Sequence, residues 1–150
     1  LITRYKFGAS PGWSAALALL LRSAPWAEPA LEQADLLLPM PLSAQRLRER
    51  GFNQALELAR HLAPAKTDSG LLLRTRHAPP QSSLKRAERL NNVRNSFAVD
   101  ARRGAELRDK RVVLLDDVMT SGASLFAAAQ TLRQAGVAHI TGLVLARTEV

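Results

Sequence analysis

The stretch Arg111-Val-Val-Leu-Leu-Asp-Asp-Val-Met-Thr-Ser-Gly-Ala-Ser124 sets an unbroken apolar run, Val112 to Leu115, before two adjacent carboxylates, Asp116 and Asp117. Apolar residues without alternation predict a strand over Arg111 to Leu115 with both faces buried in a parallel sheet. The acids are expected at its C-terminal end. A short loop of hydroxyl-bearing residues and glycine, Thr120 to Ser124, follows and opens an apolar-periodic helix. Open α/β sheets bind ligands beyond the C-terminal ends of their strands. The order strand, acid pair, small-residue loop, helix start therefore predicts a site for a phosphorylated sugar.

The chemistry of each part supports that expectation. A helix start offers unpaired N–H groups and the positive end of the helix dipole, where phosphate binds readily. Gly122 permits close backbone approach, and Thr120, Ser121 and Ser124 add hydroxyl donors beside Ala123. Asp116 and Asp117 suit vicinal sugar hydroxyls and can help to hold Mg²⁺. The plainer alternative is a buried strand whose acids cap the next helix. It accounts for one acid and one hydroxyl, but not for the rest.

Outward from this stretch, strands alternate with helices. Trp13, Ala16, Leu17, Leu20 and Leu21 form one helical face behind Pro11, and Pro25 and Pro29 punctuate a loop. Ala34 to Leu38 reads as a buried strand. A helix from Phe52 to Leu62 is expected to bury Phe52, Ala55, Leu56, Ala59 and Leu62, with Pro64 stopping it. Leu71 to Thr75 and Ser96 to Val99 read as strands, with a polar helix over Gln81 to Leu90 between them. Ser124 to Ala135 is a helix with Leu125, Ala128, Ala129, Leu132 and Ala135 on one face, ended by Gly136. Ile140 to Ala146 is a further strand. The alternation predicts a three-layer, open, mostly parallel α/β sheet.

The chain has 150 residues, enough for one domain with a substantial core. Apolar content is 47% and charged content 23%, a globular balance. No apolar run approaches the ~20 residues of a membrane span, and no secretory signal is visible. There is no cysteine, which fits a cytoplasmic location. The net charge of +8, from 21 basic and 13 acidic residues, favours polyanionic ligands without choosing among them. The three histidines, His61, His77 and His139, share no metal-ligand spacing. Trp13 and Trp26 are expected to pack rather than to stack on bases, since no basic residues alternate with them.

The segment Leu114 to Ser124 resembles the phosphoribosyl pyrophosphate (PRPP) signature of type I phosphoribosyltransferases. Arg46-x-Arg48-x-Arg50-Gly51-Phe52-Asn53-Gln54 is similar to the hallmark of the ComF/GntX family of phosphoribosyltransferase-like proteins. Gln81-x-x-Leu84-x4-Arg89-x-x-Asn92-Val93-x3-Phe97 resembles a second family segment, and Tyr5-Lys6-Phe7-Gly8 a third. Family members often carry an N-terminal zinc ribbon built from cysteines, which this chain lacks. Two readings stay open, a piece of a longer protein or the family's core without its ribbon.

The resemblance implies a single type I phosphoribosyltransferase-like domain over residues 1–150, with residues 1–33 as a small hood. It implies displacement of pyrophosphate from C1 of Mg²⁺-bound PRPP by an unknown acceptor. Asp116 and Asp117 would fix the ribose, with Mg²⁺ held indirectly, and Thr120, Ser121, Gly122, Ala123 and Ser124 would hold the 5-phosphate. Arg46, Arg48 and Arg50, expected in the loop after the first core strand, would take pyrophosphate through forked donors, Arg50 foremost. Asn53 and Gln54 either orient that loop or cap the following helix. Arg74, Gln81 and Arg89 lie where the superfamily carries a mobile active-site loop. Lys6 either reaches a phosphate or is an exposed lysine. The family is associated with natural transformation and use of external DNA. The alternative reading is thus a non-catalytic PRPP sensor or adaptor that meets single-stranded DNA or a competence-machinery protein. A homo-oligomer is compatible with either.

Overall fold

Strand β4, Arg111–Met119, lies at the centre of a three-stranded parallel sheet, flanked by β1 (Leu36–Pro39) and β5 (His139–Arg147). The structure is a computed structural model and describes residues 14–75, 96–119 and 122–147. Leu36 to Pro39 pair with Val112 to Leu115, and Arg111 to Met119 run beside His139 to Arg147. A parallel bridge between Leu37 and Thr67 extends the sheet past β1.

Both faces of β4 are covered, as its unbroken apolar run requires. Val113 and Leu115 join Leu37 and Leu143 in a cluster with helices α1 (Ser14–Arg22), α2 (Ala27–Gln33) and α4 (Gln54–Leu62). Val112 and Leu114 turn the other way, onto Leu38, Leu71, Leu72, Phe97, Leu107 and helix α5 (Ala123–Gln134). All four β4 side chains are at most 1% exposed. Each contributes about 1.5–3 kcal/mol by leaving water. The result is a helix–sheet–helix stack with an open, mostly parallel sheet, as the alternation of elements predicts. Over the α5 face lies an antiparallel ribbon of β2 (Leu72–Arg74) and β3 (Phe97–Val99). Helix α3 (Ala44–Arg50) stands between β1 and α4 and buries none of its residues.

Several expectations shift on contact with this packing. β4 does not stop at Leu115: it continues through both aspartates to Met119, because β5 pairs with it as far as Arg147. In α1, Ala16 and Leu20 are exposed, and the buried face is Ser14, Leu17, Ala18 and Leu21. A helix that is apolar nearly all round leaves its periodicity ambiguous, and contact with α4 decides it. The expected loop at Pro25 and Pro29 contains α2, with Pro29 in its first turn, where a missing N–H costs nothing. Trp26, expected to pack, is 51% exposed. In α4, Leu58 is buried and Leu56 half-buried, and the helix begins at Gln54, capped by Asn53. α5 begins at Ala123 and ends at Gln134, and Ala127 joins Ala128 and Leu132 as its buried residues. Gly136 follows with φ 95°, the left-handed turn expected of it. Trp13 and residues 76–95, including the expected helix over Gln81 to Leu90, lie outside the described residues.

The ribbon is tied to the parallel sheet by Asp68 and Arg103. Arg103 Nη1 and Nη2 donate to the two Asp68 carboxylate oxygens at 3.0 and 2.5 Å, and the Gly70 amide donates to Oδ1 at 2.8 Å. The Arg103 hydrogen bonds, with help from the Gly70 amide, hold the Asp68 carboxyl below its ordinary range against the opposing effect of burial. A folded-state value under the unfolded one of about 3.9 means that this contribution is present at higher pH. It is lost as pH falls through the folded-state value. Asp68→Asn is therefore expected to lose stability less steeply than the parent protein between about pH 5 and pH 2. Acid unfolding followed by circular dichroism checks this; parallel curves would contradict it.

Candidate functional site

At the C-terminal end of β4 the apolar pattern becomes acidic, and the strand's alternation sends the two carboxylates to opposite sides. Asp116 continues the side of Val112 and Leu114, which faces the β2–β3 ribbon; Asp117 continues the side of Val113 and Leu115. Both are half-buried. The Asp117 amide donates to Asp116 Oδ1 at 2.9 Å. Asp117 Oδ2 is buried without a hydrogen-bond partner among the described residues. The acids thus sit at the sheet's rim, outside the apolar clusters, as adjacent but separately directed acceptors.

Arg74 supplies the counter-charge, from the strand expected over Leu71 to Thr75 and not from the mobile loop that the resemblance implies. It is the last residue of β2, paired with Phe97, and not a loop residue. Its guanidinium lies over the Phe97 ring, 4.8 Å from the centroid, and Nε is buried without a partner among the described residues. Burial pushes its pKa down, nearby Arg46 pushes the same way, and Asp116 pulls it back up. Asp116, Arg74 and Arg46 therefore share one electrostatic neighbourhood, although they come from β4, β2 and α3. Guanidinium groups are suited to anions that carry several acceptor oxygens.

Arg46, Arg48 and Arg50, expected in a loop, lie on α3. Ser43 caps that helix through the Arg46 amide at 3.2 Å, and Gly51 ends it with φ 83°. Helical spacing puts Arg46 and Arg50 on one face and turns Arg48 away. Arg46 and Arg48 are exposed, and Arg50 is half-buried.

On the other side of the acids, Gly122 occupies the N-cap position of α5 with φ 82° and no side-chain cap. Ala123 and Ser124 form the helix's first two residues, both half-buried. Their place next to Met119 puts the N-terminus of a 12-residue helix beside the acid-bearing strand end. Thr120, Ser121, Gln81, Arg89, Asn92 and Lys6 lie outside the described residues.

Asn53 caps α4, with Oδ1 accepting from the Leu56 amide at 3.2 Å, and its Nδ2 donates to the carbonyl of Met40, the residue after β1, at 3.1 Å. Phe97 as the shelf under Arg74 has no signature in sequence, because cross-strand pairing creates it.

Among the described residues no group of three or more His, Cys, Asp and Glu side chains is placed to hold a metal. Two carboxylates directed apart do not form a protein cage. They do fit Mg²⁺ brought by a ligand, since that ion is usually held by one or two carboxylates together with substrate phosphates. No described helix is long and apolar enough to cross a membrane.

Residues 47–149 match the family described as "Phosphoribosyl transferase domain". The chain is 32% identical over 120 residues to competence protein F of Haemophilus influenzae, covering 78% of this chain and 52% of that protein. It is 34% identical over 113 residues to competence protein ComFC of Bacillus subtilis, covering 75% of this chain and 44% of the relative. To DNA utilization protein YhgH of Salmonella typhimurium it is 31% identical, covering 99% of this chain and 66% of that protein. The chain spans about half the length of the first two relatives. The fold is similar to glutamine PRPP amidotransferase from B. subtilis, at TM-score 0.52 and 20% identity, over 91% of this chain and 26% of that one. It is also similar to a hypoxanthine-guanine phosphoribosyltransferase from Bacillus anthracis, at TM-score 0.53 and 12% identity, over 90% and 69% of the two chains.

Gly122→Ala tests the turn that separates the acids from α5. Its left-handed φ disfavours any Cβ, which would also lie 3.4 Å from Met119 Sδ. The substitution is expected to cost about 1–2 kcal/mol, read as a lower urea midpoint. An unshifted midpoint would exclude the left-handed turn.

Proposed function

Because the chain belongs to the phosphoribosyl transferase domain family, in its ComF branch, we propose that it binds PRPP at the C-terminal end of β4. On this reading it transfers the phosphoribosyl group to an acceptor with release of pyrophosphate. The observation that carries the reading is Arg74, its buried Nε without a partner among the described residues, within electrostatic reach of Asp116 and Arg46, with the Gly122-opened start of α5 just past the acid-bearing strand. A ligand that is anionic at both ends and hydroxylated between them matches that layout.

The chemistry follows from the positions. Departure of pyrophosphate builds positive charge on the ribose ring. Asp116 and Asp117 would accept hydrogen bonds from the ribose hydroxyls and set negative potential beside that ring. The N-terminal turn of α5, with Ser124 and the segment Thr120–Ser121, would take the 5-phosphate. Arg46, Arg50 and Arg74 would receive the pyrophosphate, Arg74 from a fixed position on the ribbon. Mg²⁺ bound with the ligand would offset phosphate charge. Arg48, turned to the other face of α3, has no part in that contact. The acceptor stays open, since the fold supplies none.

A second reading rests on the excess of basic residues, net +8, and on relatives named for competence and DNA utilization. In it the domain binds PRPP without turnover and meets DNA through its cationic surface. One set of measurements separates the two. Incubation with PRPP, Mg²⁺ and candidate acceptors is expected to release pyrophosphate. Binding of PRPP without release, together with DNA affinity falling steeply with salt, would select the adaptor.

Asp117→Asn and Arg74→Met are each expected to weaken PRPP binding at least tenfold, consistent with charged hydrogen bonds of about 1.5–3 kcal/mol. Calorimetry reads this directly. Affinity unchanged by both substitutions would remove the site from this end of β4.

A further inference from the structure

We propose that the Asn53 carboxamide is a positioning residue, a clasp that holds the arginine-bearing helix α3 at a fixed distance from Asp116. The inference rests on the PRPP-binding reading for its ligand, but its structural half stands apart from it. The chain leaves β1 at Met40, whose amide donates to the Leu115 carbonyl at 2.8 Å. That carbonyl belongs to the residue just before Asp116. The Met40 carbonyl in turn accepts from Asn53 Nδ2, 13 positions along the chain. Met40 thereby joins the acid-bearing strand to the far end of the segment that carries Arg46, Arg48 and Arg50.

The helix in that segment is not held by packing of its own. A seven-residue helix is too short to persist by itself, and α3 has no buried face to hold it. Its placement falls to its ends. At the first end Ser43 is 7% exposed and caps the helix. At the second, Gly51 turns the chain, Phe52 packs against the α4 side of the sheet, and Asn53 closes the neck. The Asn side chain is the cap type that serves here, because it needs an acceptor for the Leu56 amide and a donor for Met40 at once. Ser would keep the cap and lose the clasp. A closed neck leaves Arg46 and Arg50 already placed, so that less ordering is required when an anion arrives.

Asn53→Ser and Asn53→Ala in the full chain test this. In the ligand-free protein, Asn53→Ser is expected to speed hydrogen exchange at the Leu47 and Gly51 amides about fivefold, the worth of one hydrogen bond. Exchange at Leu58 and Leu62 in α4 should be unchanged. Asn53→Ala, which also loses the cap, is expected to add faster exchange at Leu56. By calorimetry with Mg²⁺ present, Asn53→Ser should bind pyrophosphate about fivefold more weakly, with ribose 5-phosphate affinity unchanged. Unchanged exchange at Leu47 and Gly51 would overturn the clasp. So would equal losses for both ligands, which would mark general loosening. Parent protein binding neither ligand, with α3 loosened in Asn53→Ser, would overturn the functional reading and support the clasp.

Discussion

The burial of β4 on both faces is the constraint from which the site follows. Val112, Val113, Leu114 and Leu115 each give a fully desolvated side chain to one of two clusters, and that alternation fixes which way every later residue of the strand points. Once the apolar run is clamped, a one-residue slip would exchange its two faces at the cost of both clusters. Asp116 and Asp117 inherit their directions from it. They sit beyond the two apolar clusters, where burial is partial.

Electrostatics at that rim is arranged by the two flanking layers. The ribbon brings Arg74 and lays it on Phe97, which offers an apolar shelf with a negative π-face and restrains the guanidinium. Partial burial of a permanently charged group is costly unless anions are near. Asp116 meets part of that need, and the buried Nε of Arg74 leaves donor capacity for more. Arg46, on α3, adds charge of the same sign. The net charge of +8 favours the approach of polyanions over distance.

The supports are of unequal kinds. Asp68 with Arg103 is a charge-assisted tie that fastens the ribbon, and with it Arg74, to the sheet. Asn53 is a neutral clasp at the neck of α3. Gly122 is a purely conformational device: its left-handed φ opens helix α5 after the acid-bearing strand. Each places one charged or polar group around the strand end, and each belongs to a different element.

From sequence alone, Val112 to Leu115 already specified a buried parallel strand, and the apolar runs and turn residues around them specified the α/β alternation, since both signals are local. The adjacency of Asp116 and Asp117 to the Gly122 turn was likewise readable, being contiguous in the chain. What distant segments do to each other was not. Which face of α1 is buried depends on α4, and how far β4 extends depends on β5. Arg74, within the strand expected over Leu71 to Thr75, finds Phe97 only by pairing across residues 75–96. Arg46 and Asp116 both act on the charge of Arg74 from elements far apart in the chain. Hydrophobic period and turn chemistry are written within a few residues of chain, whereas the meeting of charges at this site is a property of packing, set by long-range contacts that no local pattern encodes.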